Sequence, residues 1–413
     1  MTIRIARTSE HVGAGHPDKF CDQLADAILD ESLRRCGDNQ ELRKGIRTAV
    51  ECLVKDNLVI VSGETRWPSE VQATMMCGGK DAEDCVIMDV HALARDCWKA
   101  VGYGTGEELA VVNNLRSQSV DIAKGGGTGV DAGGAGDQGI MVGYATDETP
   151  EMMPLEWVLA RDICMELNAL WSQGTVPWLR SDCKSQVTLN ADQRLTNVII
   201  AVQHAERDIK EMRREVFELV LLPLMAKQNI SGSLILEEDG RFRYGGVQGA
   251  INGTGKFTIG GSIGDAGVVG RKIVVDAYGP RVPVGGGAYS GKDPSKVDRS
   301  AAYMARHIAK TVVTETDAKE CMVQLAYGIG QLQPEMVSAV TNGDVDVSRW
   351  VQDKFKDLSQ GFITDYLSLR NPQGWSYRET AAYGHYGRNQ FPWEKVGQAS
   401  KGNVALDVAS ARK

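Results

Sequence analysis

Apolar residues recur at helical spacing close to the start of the chain. Phe20, Leu24, Ala27 and Ile28 follow one another at intervals of one to four residues, directly after Pro17. This spacing predicts an amphipathic helix, and Pro17 suits its first position because proline is favoured there. His16 and Asp18 then flank the N-terminus of that helix, where free amides attract anions. Simple capping of the helix is the alternative interpretation of these polar residues.

A second helical pattern lies in the last third of the chain. Its apolar positions are Val297, Ala301, Met304 and Ile308. We expect this helix to begin at Pro294, with Asp293 as its N-cap, because aspartate and proline are favoured at those two positions.

Alternating patterns predict strands between these helices. Ile46–Val54 and Leu58–Val61 are separated by a tight polar turn and predict a hairpin. Alternation places Val50 and Cys52 on one face and Glu51 on the other. A carboxylate in so apolar a strand is expected to pair with a base or to hold a cation.

The order of helix, strands and helix returns in the middle and last thirds of the chain. The middle third has a helix from Leu155, strands at Gln186–Leu189 and Val198–Val202, and a helix from Ile209. The repetition predicts an α/β (α+β) protein of three related layers. We place an N-terminal unit at 1–124, a mobile glycine-rich loop at 125–136, a central unit at 137–250 and a C-terminal unit at 251–413.

Composition narrows the class of protein. The chain has 413 residues, 42% of them hydrophobic, and a formal net charge of −8. These values are typical of a multidomain globular protein and argue against nucleic acid as a partner. No segment approaches the roughly 20 apolar residues of a membrane span. Nine cysteines without a C-x-x-C pair indicate reduced, mostly buried thiols and a cytoplasmic location.

The clearest candidate chemistry lies in Gly285–Asp298, where several glycines precede a lysine. Glycine lets backbone amides approach an anion closely, and Lys292 and Lys296 add positive charge. Asp298 among these charges suggests a magnesium ligand on a bound polyphosphate. The stretch also fits the P-loop pattern of kinases and ATPases. However, Asp293 occupies the position where a P-loop has serine or threonine.

Two further glycine-rich stretches carry charges. Arg271 and Lys272 follow a glycine turn and precede Ile273–Val275, which is predicted as a strand. They are interpreted as phosphate ligands or as a solvated pair. Gly134–Gly139 has the form G-x-G-x-x-G, but the following residues predict a strand, which excludes the dinucleotide-binding interpretation. What remains is a turn that presents Asp137 beside a mobile loop.

Together these motifs resemble the S-adenosylmethionine synthase family over nearly the whole chain. The resemblance rests on G-H-P-D-K at Gly15–Lys19, G-A-G-D-Q-G at Gly134–Gly139, D-x-K-S-Q-V at Asp182–Val187 and the motifs at Gly264–Lys272, Gly285–Ser300 and Thr380–Arg388. It implies three α/β domains with pseudo-threefold symmetry, dimers or dimers of dimers with active sites between subunits, and a transferase that joins ATP and L-methionine.

The resemblance also implies roles for individual residues. Catalytic roles would belong to His16, Lys184, Arg271, Lys292 and Lys296. ATP would contact His16, Asp182, Lys184, Phe257, Asp265, Arg271, Lys272, Ala288, Lys292 and Ile329. Methionine would contact Glu64, Lys124, Asp137, Asp265 and Lys296. Two magnesium ions would be held by Asp18 and Asp298, and potassium by Glu51.

Two departures from the family pattern stand out. Lys124 occupies the position of a glutamine that normally helps to hold methionine, and His11–Ala14 replaces a more usual S-V-S-E. A kinase or ATPase and a non-catalytic regulatory subunit are the competing hypotheses. The second is disfavoured because a subunit without catalysis has no use for the acids and bases described above.

Overall fold

The structure is a computed structural model and describes residues 5–67, 88–117, 134–342 and 344–397. Within these ranges the strands are β1 (Arg7–Val12), β2 (Arg47–Lys55), β3 (Leu58–Arg66), β4 (Ala110–Ser117), β5 (Gly139–Thr146), β6 (Leu179–Leu189), β7 (Leu195–His204), β8 (Ile235–Leu236), β9 (Arg241–Tyr244), β10 (Val247–Ile251), β11 (Gly267–Val268), β12 (Glu320–Tyr327), β13 (Met336–Thr341) and β14 (Val345–Asp346). The helices are α1 (Pro17–Arg35), α2 (Gln40–Gly45), α3 (Val90–Ala100), α4 (Leu155–Ser172), α5 (Ile209–Val216), α6 (Leu222–Lys227), α7 (Gly261–Gly264), α8 (Ile273–Asp276), α9 (Val297–Glu315), α10 (Ser348–Lys354), α11 (Gln360–Tyr366) and α12 (Tyr377–Thr380). A π-helical turn at Phe217–Leu221 joins α5 to α6, and 3₁₀ turns lie at Gly279–Arg281 and Pro392–Glu394.

The strands form three sheets. We call them the N-terminal sheet (order β11-β2-β3-β4), the central sheet (β1-β6-β7-β10-β9-β8) and the C-terminal sheet (β14-β13-β12-β5). A long helix packs on each of them: α1 on β2, α4 on β6 and β1, and α9 on β5 and β12. The predicted repetition of three α/β units is therefore confirmed.

Burial follows the predicted alternation in the hairpin of β2 and β3. Val50, Cys52 and Val54 are buried in the core, whereas Glu51 and Leu53 point away from it. One large hydrophobic cluster holds the N-terminal and C-terminal units together, and a second fills the central unit. The seven cysteines in the described residues are buried and unpaired, as predicted for reduced thiols.

The three units exchange strands along the chain. β1 pairs antiparallel with β6 of the central sheet, and β5 pairs with β12 of the C-terminal sheet. β11 pairs in turn with β2 of the N-terminal sheet. Hydrophobic patterns could not show this exchange, because they report the form of a segment and not its partner. The boundaries drawn at 124, 136 and 250 stay a prediction.

Two local predictions are wrong. Ile273–Val275 is not a strand but part of the helical turn α8, with Asp276 N bonded to Lys272 O at 2.8 Å. The helix predicted from Pro294 begins three residues later, and its N-cap is Lys296. Asp293 instead caps a turn, accepting a hydrogen bond from Ser295 N at 2.8 Å, and its carboxylate is fully buried. Asparagine and aspartate favour such turns as readily as helix N-caps.

No helix in the described parts of the chain is both long enough and apolar enough to cross a membrane.

Candidate active site

His16 caps α1 with its side chain and is almost completely buried. Its Nδ1 accepts the hydrogen bond of Asp18 N at 3.1 Å, so in the neutral ring Nε2 carries the proton. Burial lowers the pKa of His16 to about 3, and the charges of Lys272 and Lys184 add to this effect. His16 is thus a neutral hydrogen-bond donor next to a helix N-terminus and two lysines.

Asp18 joins this N-terminus to the loop that carries Arg271 and Lys272. Its carboxylate accepts hydrogen bonds from Val268 N at 2.9 Å and from Lys272 Nζ at 2.5 Å. Arg271 Nε lies 3.9 Å from the same carboxylate, and the side chain of Arg271 is 54% exposed. The guanidinium is therefore free to turn toward a bound anion, whereas Lys272 is held in place.

The glycine-rich stretch forms a second basic loop, which is anchored on β2. Lys292 pairs with Ala49 of β2 through an isolated bridge, and its Nζ donates to Asp298 at 2.5 Å. Asp298 also accepts from Gly287 N at 2.9 Å, so the carboxylate folds the loop over the first turn of α9. Lys296 Nζ donates instead to the buried Asp293 at 2.6 Å.

The Lys296–Asp293 pair is the more buried of the two ion pairs. Burial disfavours the charged form of Asp293, but the ammonium of Lys296 and the guanidinium of Arg47 outweigh it and lower the pKa of this carboxyl. Thr48 N donates to the same carboxylate at 2.8 Å. Lys296 is therefore partly committed to structure, whereas Lys292 pairs with a more accessible acid.

The two basic loops touch. Gly270 has a φ of +73°, and a Cβ at this position would lie 2.4 Å from the Cβ of Ala288. Only glycine allows this approach, because a side chain would collide with Ala288. Arg271 and Lys272 are thereby brought beside the loop that carries Lys292.

The central sheet contributes a second group of predicted residues. Asp182 in β6 accepts a hydrogen bond from Gly261 N at 2.8 Å, while its other carboxylate oxygen is buried without a partner. Burial raises the pKa of Asp182 to about 6. Lys184 is exposed on the same strand, and its charge acts on His16. Asp265 is exposed and Phe257 half-buried in the segment that follows β10.

Asp137 and Ile329 lie near the glycine-rich loop that carries Lys292. Asp137 is exposed two residues before Gly139, whose added Cβ would lie 3.7 Å from Asp298 Oδ1. Ile329 is 70% exposed, and the next residue, Gly330, donates its amide to Ala135 O at 2.8 Å. The turn at Gly134–Gly139 is thus a neighbour of both the loop that carries Ile329 and the loop that carries Lys292.

Glu51 and Glu64 lie on the N-terminal sheet. Glu51 is on the face of β2 that points away from α1, and Glu64 pairs with Ala49 across β2 and β3. Partial burial raises the pKa of Glu51, and the nearby ammonium of Lys292 opposes this. Lys124 lies outside the described residues, as does most of the predicted mobile loop.

Sequence reasoning missed a row of carboxylates behind the two loops. Asp22 and Asp26 are fully buried in α1 and hold the amides of Gly270 and Gly291 at 2.8 and 2.9 Å. The signal was present in the chain, because Asp18, Asp22, Asp26 and Asp30 recur every fourth residue. That spacing places side chains on one helix face.

The carboxylates fit magnesium only together with a ligand. Within the described residues, no cluster of three or more histidine, cysteine, aspartate or glutamate side chains is arranged to hold a metal. Magnesium on a polyphosphate usually takes one or two protein carboxylates, with phosphate and water oxygens as the rest. Asp18 and Asp298 each offer such a carboxylate, and a lysine ammonium already sits against each one.

Comparison with known proteins finds similarity to one family over nearly the whole chain. The models of the N-terminal, central and C-terminal domains of S-adenosylmethionine synthetase match residues 4–120, 132–257 and 259–395. An S-adenosylmethionine synthase of Chlorobium phaeobacteroides is 38% identical over 97% of this chain and 98% of its own length. An S-adenosylmethionine synthase 1 of Rhodospirillum rubrum is 42% identical over 94% of this chain and 95% of its own length.

A third relative, an S-adenosylmethionine synthase of Treponema denticola, is 39% identical over 94% of this chain and 95% of its own length. The three matched domains follow one another in the order of the three α/β units. The chain therefore belongs to the S-adenosylmethionine synthase family of transferases.

Proposed function

We propose that the chain forms S-adenosylmethionine from ATP and L-methionine. The sulfur of methionine attacks C5′ of the ribose, forming the S–C5′ bond as the C5′–O bond to the triphosphate breaks. The released triphosphate is then hydrolysed to pyrophosphate and phosphate. The observation that carries this proposal is the contact between Gly270 and Ala288, because it joins the two basic loops into one anion-binding surface.

The residues of this surface suit a departing triphosphate. A thioether is neutral and needs no base, so the barrier lies in the charge that builds on the leaving group. Lys184, Arg271, Lys272 and Lys292 place positive charge there, and removing one preorganised donor from an enzyme site costs about 2.7–4 kcal/mol. Neutral His16 would donate its Nε2 proton in a hydrogen bond to the triphosphate without competing for magnesium.

Two magnesium ions bound at Asp18 and Asp298 would neutralise phosphate charge during cleavage. Lys272 and Lys292, which pair with these carboxylates, are then available to the phosphates. Glu51 would contribute a carboxylate to a potassium ion. If this face of β2 were buried between subunits, a carboxylate beside the apolar side chains of Ala49 and Leu53 would need a cation.

We place the adenine between Phe257 and Ile329, near Ala288. Asp182 would contact the nucleoside. Methionine would bind through Asp265, which meets its ammonium, with contributions from Glu64, Lys124, Asp137 and Lys296. Phe257 follows the central sheet whereas Ile329 follows the C-terminal sheet. A site built from two subunits would bring such separate elements together.

A homodimer or a dimer of dimers is also supported by the sheets themselves. Leu53, Leu58 and Val112 are 38%, 38% and 48% exposed on the N-terminal sheet. Ile140 is 52% exposed at the edge of the C-terminal sheet. Apolar groups gathered on an open sheet face are typical of an interaction surface. We place the enzyme in the cytoplasm, without nucleic acid or membrane as a partner.

One incubation tests the proposal against its alternatives. The protein is supplied with ATP, L-methionine, magnesium and potassium, and the products are separated by liquid chromatography with mass detection. We expect S-adenosylmethionine, pyrophosphate and phosphate in equal amounts, and none of them without methionine. Release of ADP would indicate a kinase or ATPase instead. No turnover by folded protein would indicate a non-catalytic subunit.

A further inference from the structure

A row of aspartates runs along α1, and its first three members are buried beneath the two basic loops. Asp18, Asp22, Asp26 and Asp30 are spaced four residues apart, so each lies about 6 Å further along the helix axis. Like charges at this spacing repel one another. Burial of several carboxylates on one helix is therefore unfavourable unless each is compensated.

Backbone amides of the loops supply much of that compensation. Val268 N donates to Asp18 and Gly270 N to Asp22, at 2.9 and 2.8 Å. Gly270 lies directly before Arg271 and Lys272, and Val268 lies two residues earlier. One turn further along, Gly291 N donates to Asp26 at 2.9 Å, directly before Lys292.

The lower part of the row serves a different segment. Asp30 accepts the amides of Tyr377 and Arg378, both at 2.8 Å. These residues belong to α12 and carry none of the predicted site residues. The same helix therefore offers a matched control for the two aspartates above it.

Side chains strengthen the grip on each loop. Arg299 forms a two-pronged pair with Asp26 at 2.6 and 2.9 Å, and its Nη1 also donates to the carbonyls of Tyr289 and Lys292 at 3.1 Å. Asp26 and Arg299 are both fully buried. In the segment from Tyr289 to Lys292, Asp26 therefore binds the amide of Gly291, and Arg299 binds the carbonyls of the first and last residues.

Asp22 is held from the other side by Lys19. Lys19 Nζ donates to Asp22 at 2.9 Å and also bonds to Asp276 at the end of α8. The turn from Gly270 to Asp276 is thereby fastened at both ends to the same buried group. Arg271 and Lys272 lie between these two points.

We propose that Asp22 and Asp26 are positioning residues that set Arg271, Lys272 and Lys292 against the triphosphate by holding the amides of Gly270 and Gly291. This inference rests on the function proposed above. Neither aspartate touches the reacting atoms, and both act through the loops. A displacement of about 1 Å in such groups lowers turnover by about 100-fold.

The test compares Asp22→Asn and Asp26→Asn with Asp30→Asn, which makes the same substitution on the same helix. Binding of inorganic tripolyphosphate with magnesium is measured by calorimetry, and turnover is measured per folded enzyme. For the first two variants we expect binding about 10-fold weaker and kcat about 10- to 100-fold lower, with the KM for methionine within about twofold. Asp30→Asn should keep both values within about threefold of the wild type.

Equal binding and turnover in all three variants would overturn the inference. Asp26→Asn removes the charged partner of Arg299 and could prevent folding. In that case Asp22→Asn alone tests the inference, because Lys19 still has Asp276 as its partner in this variant. A wild-type protein that binds tripolyphosphate but makes no S-adenosylmethionine would defeat the proposed function alone, and the binding comparison would still test the positioning role.

Discussion

Lys292 and Lys296 of the glycine-rich loop form ion pairs with different aspartates. Replacing each lysine by alanine therefore separates its effect on catalysis from its effect on stability. Lys292 pairs with Asp298, and their side chains are 22% and 15% exposed. Asp298 keeps the hydrogen bond from Gly287 N when the ammonium is removed, so the loss of folding stability should be about 1 kcal/mol. Lys292→Ala should therefore fold normally and lose turnover by about 2–4 kcal/mol of transition-state stabilisation, or roughly 30- to 1,000-fold.

Lys296→Ala should lose both stability and turnover. It leaves Asp293 fully buried without its ammonium, and breaking a buried pair costs about 3–5 kcal/mol when nothing else compensates. Here the amides of Thr48 and Ser295 remain, so we expect about 1–3 kcal/mol.

Urea unfolding and initial rates of S-adenosylmethionine formation measure the two effects. Lys210→Ala is a suitable control because it removes a lysine from an exposed pair with Glu238, far from the site in the chain. Near-normal turnover in Lys292→Ala would refute the role of the loop. Equal destabilisation of the Lys292 and Lys296 variants would refute the distinction between their partners.

Three further predictions concern metal, pH and product release. Asp18→Asn should raise the magnesium concentration for half-maximal rate by about tenfold, because one anionic ligand is lost while the hydrogen bond from Val268 N is kept; an unchanged magnesium titration would leave Asp18 as a helix cap. Burial raises the pKa of Asp182 from 3.8 to about 6, so the folded protein binds more protons in that window and loses stability as the pH rises through it. Asp182→Asn should flatten this part of the stability profile, and an identical slope in urea unfolding from pH 4 to 7 would contradict the shift. Lys124→Gln should lower the inhibition constant of S-adenosylmethionine more than it changes the KM for methionine, because the lysine repels the cationic product; equal inhibition constants at matched salt would make Lys124 a bystander.

Much of the fold could be predicted because most elements have strong periodicity. The helix after Pro17 and the hairpin around Asp56 appear where the spacing of apolar residues places them. The failures lie where a short segment carries two signals. The three residues Ile273–Val275 are all β-branched, which favours a strand. In the structure, however, the amide of the next residue, Asp276, bonds to the carbonyl of Lys272 and closes a helical turn.

The candidate site was predictable in its chemistry but not in its supports. The glycines and lysines that follow Gly285 predict an anion-binding site from the sequence alone. The contact of Gly270 with Ala288 depends on two segments that meet only in the folded chain. The role of Asp22 and Asp26 could not be predicted, because a charged residue on a helix is ordinarily solvated and only the structure shows that these two are fully buried.

The exchange of strands between the three sheets constrains the order in which the chain assembles. β1 finds its partner in β6, so the first strand leaving the ribosome waits until the residues around Leu189 have been made. β2 likewise lacks its edge partner β11 until Gly267 and Val268 emerge. Pairings so distant in sequence slow folding, since the entropy of closing a long loop is lost before any contact is gained.

The first third of the chain therefore cannot form all of its strand pairings before the rest has been synthesised. A fragment that ends before β6 carries an unpaired β1, and one that ends before β12 carries an unpaired β5. Open strand edges of this kind promote aggregation. The exchanged strands therefore make the folding of each unit depend on residues from another part of the chain.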